Sequence, residues 1–297
     1  MSLIEDWKSI IPDAEKSWQD MCKLIEADGA TQIMLWPGNK NAPPGDFRQH
    51  LKTPLLHIYS LKKTITKFVL IIPGGAFLFK SFHEALPVAD AFKKKGYNVA
   101  ILDYRCRPFG NGDISADGMR GIQVLRKYAK DQGIPDAKVI TVGFSAGGIL
   151  TSLININAEK GYEGIDDEIS DIPILPDAEV MIYGAFTDTG ITEHPSRSPE
   201  RLCGFKAEEA KKDADESLLL RLPMELPPLF MAQTDDDDPL FILEMGRAWR
   251  MRGVPFEMHL FHGGSHGGGL YNGKFNAEKN DHAAHWFELC CEWIDQL

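Results

Sequence analysis

The stretch KVITVGFSAGG, residues 138–148, decides how the chain is read. Val139–Val142 is a β-branched, mostly apolar run of the kind that fills a buried strand. From Ala146 to Ile156 the sequence is rich in small and aliphatic residues, as in a packed helix. Between the two lies Gly143-Phe144-Ser145-Ala146-Gly147, a serine bracketed by glycines. If Ser145 is held in a sharp strand-to-helix turn, the residues two before and two after it approach each other and the neighbouring strands. A Cβ at either place would collide, so glycine answers a packing demand. The turn lifts the Ser145 hydroxyl clear of the sheet and aims the N–H of Ala146 at whatever binds above it. G-x-S-x-G in this setting is a nucleophile elbow. The competing reading is a serine that only caps a helix, and the rest of the chain must decide between them.

The chain has 297 residues, 43 % hydrophobic and 25 % charged, an ordinary globular composition. At this size one domain buries about three quarters of its unfolded surface without covalent staples. The net charge of −11 argues against a nucleic-acid or anionic-membrane partner. Five cysteines, two of them adjacent (Cys290, Cys291), fit neither a disulfide framework nor a metal spacing. The N-terminus, MSLIEDWKSIIPDAEKSW, lacks the apolar run of a signal peptide, and no stretch approaches the roughly 20 apolar residues of a membrane span. The expectation is a reduced, cytoplasmic, single-domain protein over residues 1–297.

Strands are expected at Gln32–Leu35, Leu55–Ser60, Phe68–Pro73, Asn98–Tyr104, Val139–Phe144, Val180–Ala185, Leu229–Gln233 and Glu257–Phe261. Helices are expected at His83–Lys95, Ser115–Asp131, Ala146–Glu159, Ala207–Arg221, Phe241–Arg252 and Asp281–Gln296. Strands alternating with helices of this length imply βαβ units and a mostly parallel sheet. The first two or three strands lack intervening helices and are expected as antiparallel neighbours at one edge. Residues 1–30 read as an N-terminal extension, and residues 187–227 as a small cap insertion that starts where open α/β sheets place ligands.

A serine hydroxyl needs a base to become a nucleophile, and the base needs an acid to hold its tautomer. After an elbow these follow in the order Ser, Asp, His. The sequence AQTDDDDP, residues 232–239, puts acids after the seventh strand, with Asp236, Asp237 and Asp238 all candidates for one functional acid and the other three of the four aspartates expected to be simply solvated. A divalent cation on the run is a rival reading that no nearby histidine or second acid cluster supports. FHGGSHGGG, residues 261–269, puts His266 in a glycine-rich loop after the last strand, where flanking glycines let the imidazole sit close to the serine. His262 reads as a strand-end surface residue, His259 as one that points to the opposite face or solvent, and His282 and His285 as helix surface. A developing oxyanion also needs donors. IIPGGAF, residues 71–77, offers the N–H groups of Gly75 and Ala76, to join that of Ala146.

Taken together, these motifs resemble the α/β-hydrolase esterase/lipase group, in particular bacterial carboxylesterases of the acetyl xylan esterase-like and hormone-sensitive-lipase-like branches. GFSAGG resembles the group's elbow, IIPGGAF its PGGGY or HGGGF loop, ILDYRCRP its VDYRLAP, and MLWPGNKNAPPG its LWPGEAPG-like entry. AQTDDDDP resembles HGADDPVVP, with Gln233 and Thr234 in place of His-Gly; the fifth residue counted from Gln233 is Asp237, so the resemblance selects Asp237 as the acid. FHGGSHGGG resembles FPGGGHGFG and selects His266 as the base. The resemblance spans Gln32 to the C-terminus and implies an eight-stranded, mostly parallel sheet flanked by helices with at most a small cap. It implies a serine ester hydrolase using Ser145, Asp237 and His266, with Gly75, Ala76 and Ala146 as oxyanion donors. The expected substrate is a small short-acyl ester, acetylated carbohydrate among the candidates, with no cofactor and no metal. Rival readings are a serine peptidase of the same fold and a non-catalytic ligand-binding relative. The sequence leaves the assembly open, a homodimer included.

Overall fold

The strand that opens the argument, β5 (Lys138–Phe144), is buried from its second residue onward. Its side chains alternate between two layers: Val139 joins one apolar cluster, Ile140, Val142 and Phe144 the other. A strand covered on both faces in this way belongs in the middle of a parallel sheet. The computed structural model describes residues 16, 18–36, 54–59, 62–107, 109–162, 166–184, 221–237, 239–275 and 277–297.

Around β5 stand β1 (Thr31–Met34), β2 (Leu55–Ile58), β3 (Lys67–Ile72), β4 (Asn98–Asp103), β6 (Ala178–Ile182), β7 (Leu229–Thr234) and β8 (Phe256–Phe261). They form one eight-stranded sheet in the order β1-β2-β4-β3-β5-β6-β7-β8. Strand β2 runs antiparallel to both β1 and β4, and the remaining pairs are parallel. The antiparallel edge is therefore two strands deep; β3 already belongs to the parallel part. Among the described residues the helices are α1 (residues 18–27), α2 (Leu86–Lys95), α3 (Asn111–Asp131), α4 (Ala146–Asn157), α5 (Leu240–Arg252) and α6 (Trp286–Asp295). One apolar cluster lies between the sheet and α3, α4 and α5; the other lies between the sheet and α1, α2 and α6. No helix among the described residues is long and apolar enough to cross a membrane.

Three helices differ from the sequence reading at their starts by more than one residue. The helix expected from His83 begins with a 3₁₀ turn, Phe82–Glu84, before α2 opens at Leu86 with Pro87 in its first turn. That is where a missing N–H costs nothing. Helix α3 starts four residues earlier than expected, because the Asp113 carboxylate accepts the N–H of Gly110 and caps the turn. The last helix is divided into a 3₁₀ turn, Ala283–His285, and α6. Within the expected N-terminal extension, α1 buries Trp18, Met21, Cys22 and Ile25 against the sheet. Most of the expected cap insertion, the expected helix Ala207–Arg221 short of its last residue, and Asp238 lie outside the described residues.

One buried group makes the fold sensitive to pH. Glu179 on β6 is fully buried, and Asn155 of α4 donates to its Oε2 at 3.1 Å. Desolvation outweighs that hydrogen bond and pushes the carboxyl up to about 8. The folded chain thus keeps a proton that the unfolded chain loses above the ordinary carboxyl value. Stability must fall as pH rises from about 5 through 8, by on the order of a few kcal/mol at about 1.4 kcal/mol per unit. Thermal melts across that window should show Glu179→Gln losing less stability with pH than the unaltered chain. Parallel pH curves for the two proteins would refute a neutral Glu179.

Candidate active site

The parallel strands β3, β5, β7 and β8 deliver their C-terminal ends to one edge of the sheet, and the predicted site residues sit on the loops that follow. Ser145 follows β5 directly and adopts φ +49°, ψ −116°, a conformation that L-residues rarely hold. Its N–H donates to the Ile182 carbonyl of β6 and its carbonyl accepts from Ile149, both at 3.1 Å. A Cβ on Gly143 would stand 2.6 Å from the Gly147 carbonyl oxygen, and one on Gly147 would stand 1.9 Å from the Ile72 oxygen of β3. Both glycines are therefore imposed by backbone contact, as the crowding argument requires.

The loop after β3 lies against this turn: a Cβ on Gly74 would meet Ser145 Cβ at 2.9 Å. Ala76 and Phe77 hold positive φ values of 54° and 58°. The strain is held by neighbours. Gly75 carbonyl accepts from Leu78 (2.9 Å) and Phe79 (3.2 Å), Phe77 carbonyl accepts from Arg107 (2.7 Å), and Pro73 carbonyl accepts from the Tyr104 hydroxyl (2.7 Å). The N–H of Gly74 donates to the buried Glu84 carboxylate at 2.8 Å. Among the described residues no hydrogen bond takes the N–H of Gly75 or Ala76. Ala146, first residue of α4, has no helical partner one turn back. These are the three groups expected as oxyanion donors: Ala146 follows Ser145 in the chain, and the loop that carries Gly75 and Ala76 meets the serine turn at Gly74.

The aspartates after β7 divide their work. Asp237 Oδ2 lies 2.7 Å from His266 Nδ1, and its side chain is the less exposed, 16 % against 39 % for Asp235. Asp235 accepts the Gly263 N–H at 2.7 Å and pairs with His262 Nδ1 at 2.8 Å. Asp236 accepts the Gly264 N–H at 3.2 Å. The expectation that the rest of the run is merely solvated is corrected for these two: they are exposed, yet each fastens the backbone of the histidine loop. Every described carboxylate of the run has a partner in that loop. Gln233, standing where the resembled motif has histidine, is buried and donates to the Asp237 carbonyl at 3.3 Å.

His266 Nε2 lies 2.7 Å from Ser145 Oγ. Its loop is tied by Thr234 Oγ1 to the Gly264 carbonyl (2.5 Å), by the Tyr271 hydroxyl to the Ser265 carbonyl (3.0 Å) and by Trp286 Nε1 to the Gly269 carbonyl (3.0 Å). Desolvation lowers the imidazole pKa, but the hydrogen bond and charge of Asp237, with a smaller contribution from Glu84, outweigh it. The net shift is upward from the usual histidine value. The ring keeps 44 % of its side-chain surface open, so one edge remains available to a substrate. His259 pairs with Glu257 (2.7 Å), and His282 and His285 lie exposed at the 3₁₀ turn before α6.

Sequence reasoning missed Glu84 and Tyr183. Glu84 falls in the first turn of the expected helix His83–Lys95, and Tyr183 in the interior of the expected strand Val180–Ala185. Tyr183 instead leaves β6 at φ +40° and puts its ring 5.0 Å from that of His266.

Away from this centre, Cys22, His57 and Asp103 bring potential metal-ligand atoms within 4.8 Å of one another in a buried place. Lys80 Nζ lies 2.6 Å from Asp103 Oδ1 and already balances that carboxylate. A divalent ion there would have to share it with an ammonium group.

The chain is similar to proteins already known. The BD-FAE family model matches residues 56–238. The chain belongs to the BD-FAE family. It is similar to endo-1,4-beta-xylanase B of Butyrivibrio fibrisolvens, 26 % identical over 224 residues covering 70 % of this chain and 33 % of that protein. It is also similar to an acetylxylan esterase of Xylanibacter ruminicola, 34 % identical over 86 residues covering 28 % of this chain and 18 % of that protein. The chain thus spans about a third of the first relative and under a fifth of the second. Among solved structures, the acetyl ester-xyloside bifunctional hydrolase from Caldicellulosiruptor lactoaceticus superposes with a TM-score of 0.74 at 26 % identity, covering 90 % of this chain and 96 % of that one. This BD-FAE chain has the α/β-hydrolase fold, as its motifs implied.

The elbow contacts carry their own test. Gly147→Ala must displace β3 or the turn, and it should cost at least about 1–3 kcal/mol, the usual range for overpacking. A melting temperature equal to that of the unaltered chain would show that the close approach to Ile72 is not real.

Proposed function

We propose that this BD-FAE chain is a serine carboxylic-ester hydrolase acting on short-acyl esters through Ser145, His266 and Asp237. The observation that carries the reading is the continuous pair of 2.7 Å contacts, Ser145 Oγ to His266 Nε2 and His266 Nδ1 to Asp237 Oδ2. In that arrangement His266 takes the hydroxyl proton as Oγ attacks the ester carbonyl, and Asp237 holds the tautomer and stabilises the imidazolium. The tetrahedral oxyanion is met by N–H groups of Ala146 and of Gly75 or Ala76, each worth about 2.7–4 kcal/mol of transition-state stabilisation. His266 protonates the departing alkoxide and leaves an acyl-serine. Water, deprotonated by the same imidazole, then releases the acid and restores the serine. Each step is balanced by groups of this chain.

Acetyl esters of carbohydrate are the preferred substrate class. Support comes from two relatives whose names specify acetylxylan esterase and acetyl ester-xyloside hydrolase activity.

Hydrolysis of p-nitrophenyl acetate, butyrate and octanoate tests both levels of the reading. Turnover should be fastest on acetate, and Ser145→Ala should lower it by about 10⁴-fold or more. Equal rates with and without the serine would end the serine-esterase reading, and a preference for octanoate would end the short-acyl one. The pH profile adds a second check. Because Asp237 raises the His266 pKa, the acid limb of kcat/KM should fall above the ordinary histidine value. Asp237→Asn should move that limb down in pH while reducing kcat by up to about 10⁴-fold. An unmoved acid limb would remove Asp237 from the role.

A further inference from the structure

We propose that Glu84 is a positioning residue that holds the oxyanion loop and the histidine loop in one register, an assignment that rests on the esterase reading above. Glu84 closes the 3₁₀ turn Phe82–Glu84 and is 2 % exposed. Its two carboxylate oxygens are used separately. Oε2 accepts the Gly74 N–H at 2.8 Å, and Oε1 accepts the Tyr183 hydroxyl at 2.8 Å. The Tyr183 oxygen accepts in turn from the Gly269 N–H at 2.8 Å. A continuous buried chain therefore runs from the loop after β3, through Glu84 and the tyrosine after β6, to the loop that carries His266. The residue beside it adds a second strap, His83 Nε2 lying 2.7 Å from the Gly267 carbonyl.

The chemistry favours a carboxylate at the centre of this chain. Two donors converge on Glu84 from opposite loops, and an ionised carboxylate accepts from both. An amide of the same shape accepts at one end only and turns its N–H toward the Tyr183 oxygen, which already receives the Gly269 N–H. The bond to Glu84 also decides which loop donors remain: Gly74 is spent, while Gly75 and Ala76 stay free among the described hydrogen bonds. A Cβ on Gly74 would be 2.7 Å from Glu84 Oε2 and 2.9 Å from Ser145 Cβ, so the carboxylate and the nucleophile turn both close on the backbone of Gly74. Oxyanion donors act only within about 2.7–3.1 Å of the developing charge, and a misplacement of about 1 Å can cost 10²-fold.

The position has an electrostatic signature as well. The titratable groups around Glu84 are His83, whose Nε2 is 3.9 Å from Oε1, and Tyr183, Tyr104, Tyr271 and His266, on each of which its charge acts; Asp237 acts on His266 as well. The negative charge of Glu84 helps keep the His266 imidazolium protonated, so neutralising Glu84 should let the base ionise at lower pH.

Kinetics of Glu84→Gln and Tyr183→Phe on p-nitrophenyl acetate, beside the unaltered chain and Ser145→Ala, test the assignment, with circular dichroism to establish folding. Both variants should lose about 10- to 100-fold in kcat with KM changed less than threefold. Glu84→Gln should also shift the acid limb of kcat/KM downward, which a merely structural residue would not do. Tyr183→Phe keeps the ring and cuts only the bridge, so it decides the matter if Glu84→Gln fails to fold. Full kcat in either folded variant, or an unmoved acid limb in Glu84→Gln, overturns the proposal while leaving an active esterase standing. An unaltered chain no faster than Ser145→Ala overturns the esterase reading and the role of Glu84 with it.

Discussion

Where β5 gives way to α4, the backbone of Gly147 comes so close to the Ile72 carbonyl of β3 that no side-chain atom fits between them. That contact ties the first turn of α4 to the neighbouring strand and forces Ser145 into a positive-φ conformation. Such strain costs on the order of 1–3 kcal/mol and persists only when the surroundings over-determine it. Here they do. The Ser145 N–H is held by β6, the bracketing glycines are wedged against backbone, and Phe144 is buried in the apolar cluster under α6 and α1. What results is a hydroxyl standing above the sheet at a fixed height. Every other functional group must be brought to it.

The parallel sheet does most of that bringing, because it places the ends of five strands, β3, β5, β6, β7 and β8, on one edge. The pairings β3–β5, β5–β6, β6–β7 and β7–β8 are all parallel, so the chain returns to the same edge after each helix. Ser145 and His266 are 121 residues apart in sequence and within hydrogen-bond distance in space. A sheet positions strand ends; it does not position the loops beyond them. In the histidine loop that task falls to acceptors of backbone N–H groups. Asp235 and Asp236 take the N–H groups of Gly263 and Gly264, which leaves Asp237, the third of the run, to face the imidazole.

This division explains how much could be read beforehand. Elements were legible because their signals are local: alternating or continuous apolar runs for strands, a broad apolar stripe for α3, and glycine spacing for the elbow. The fold class and the serine, its aspartate and its histidine were legible as candidates because each occupies a short motif after a strand. Within the aspartate run local reading left three residues open. The choice among them is made by the partners, two glycine N–H groups and one imidazole that arrive from a loop some 28 residues later. Glu84 and Tyr183 were illegible for the same reason. Nothing near Glu84 in SFHEALP distinguishes it from an acid favoring the first turn of a helix. Its function lies in two donors contributed by residues 10 positions before it and 99 after it.

The site is thus assembled from loops with no covalent continuity across it, and its rigidity must come from buried acceptors that bridge them. A carboxylate suits this work because it accepts from two directions and cannot satisfy itself locally with a proton donor of its own. Burial raises the stakes, since a buried acceptor left without its donor costs about 1–3 kcal/mol, and more when it is charged. Displacing either loop from Glu84 would incur that cost at once. The loops are therefore held in register by the same interaction that would be left unsatisfied if they moved apart, and the energetic penalty for disorder is concentrated beside Ser145, where alignment matters most.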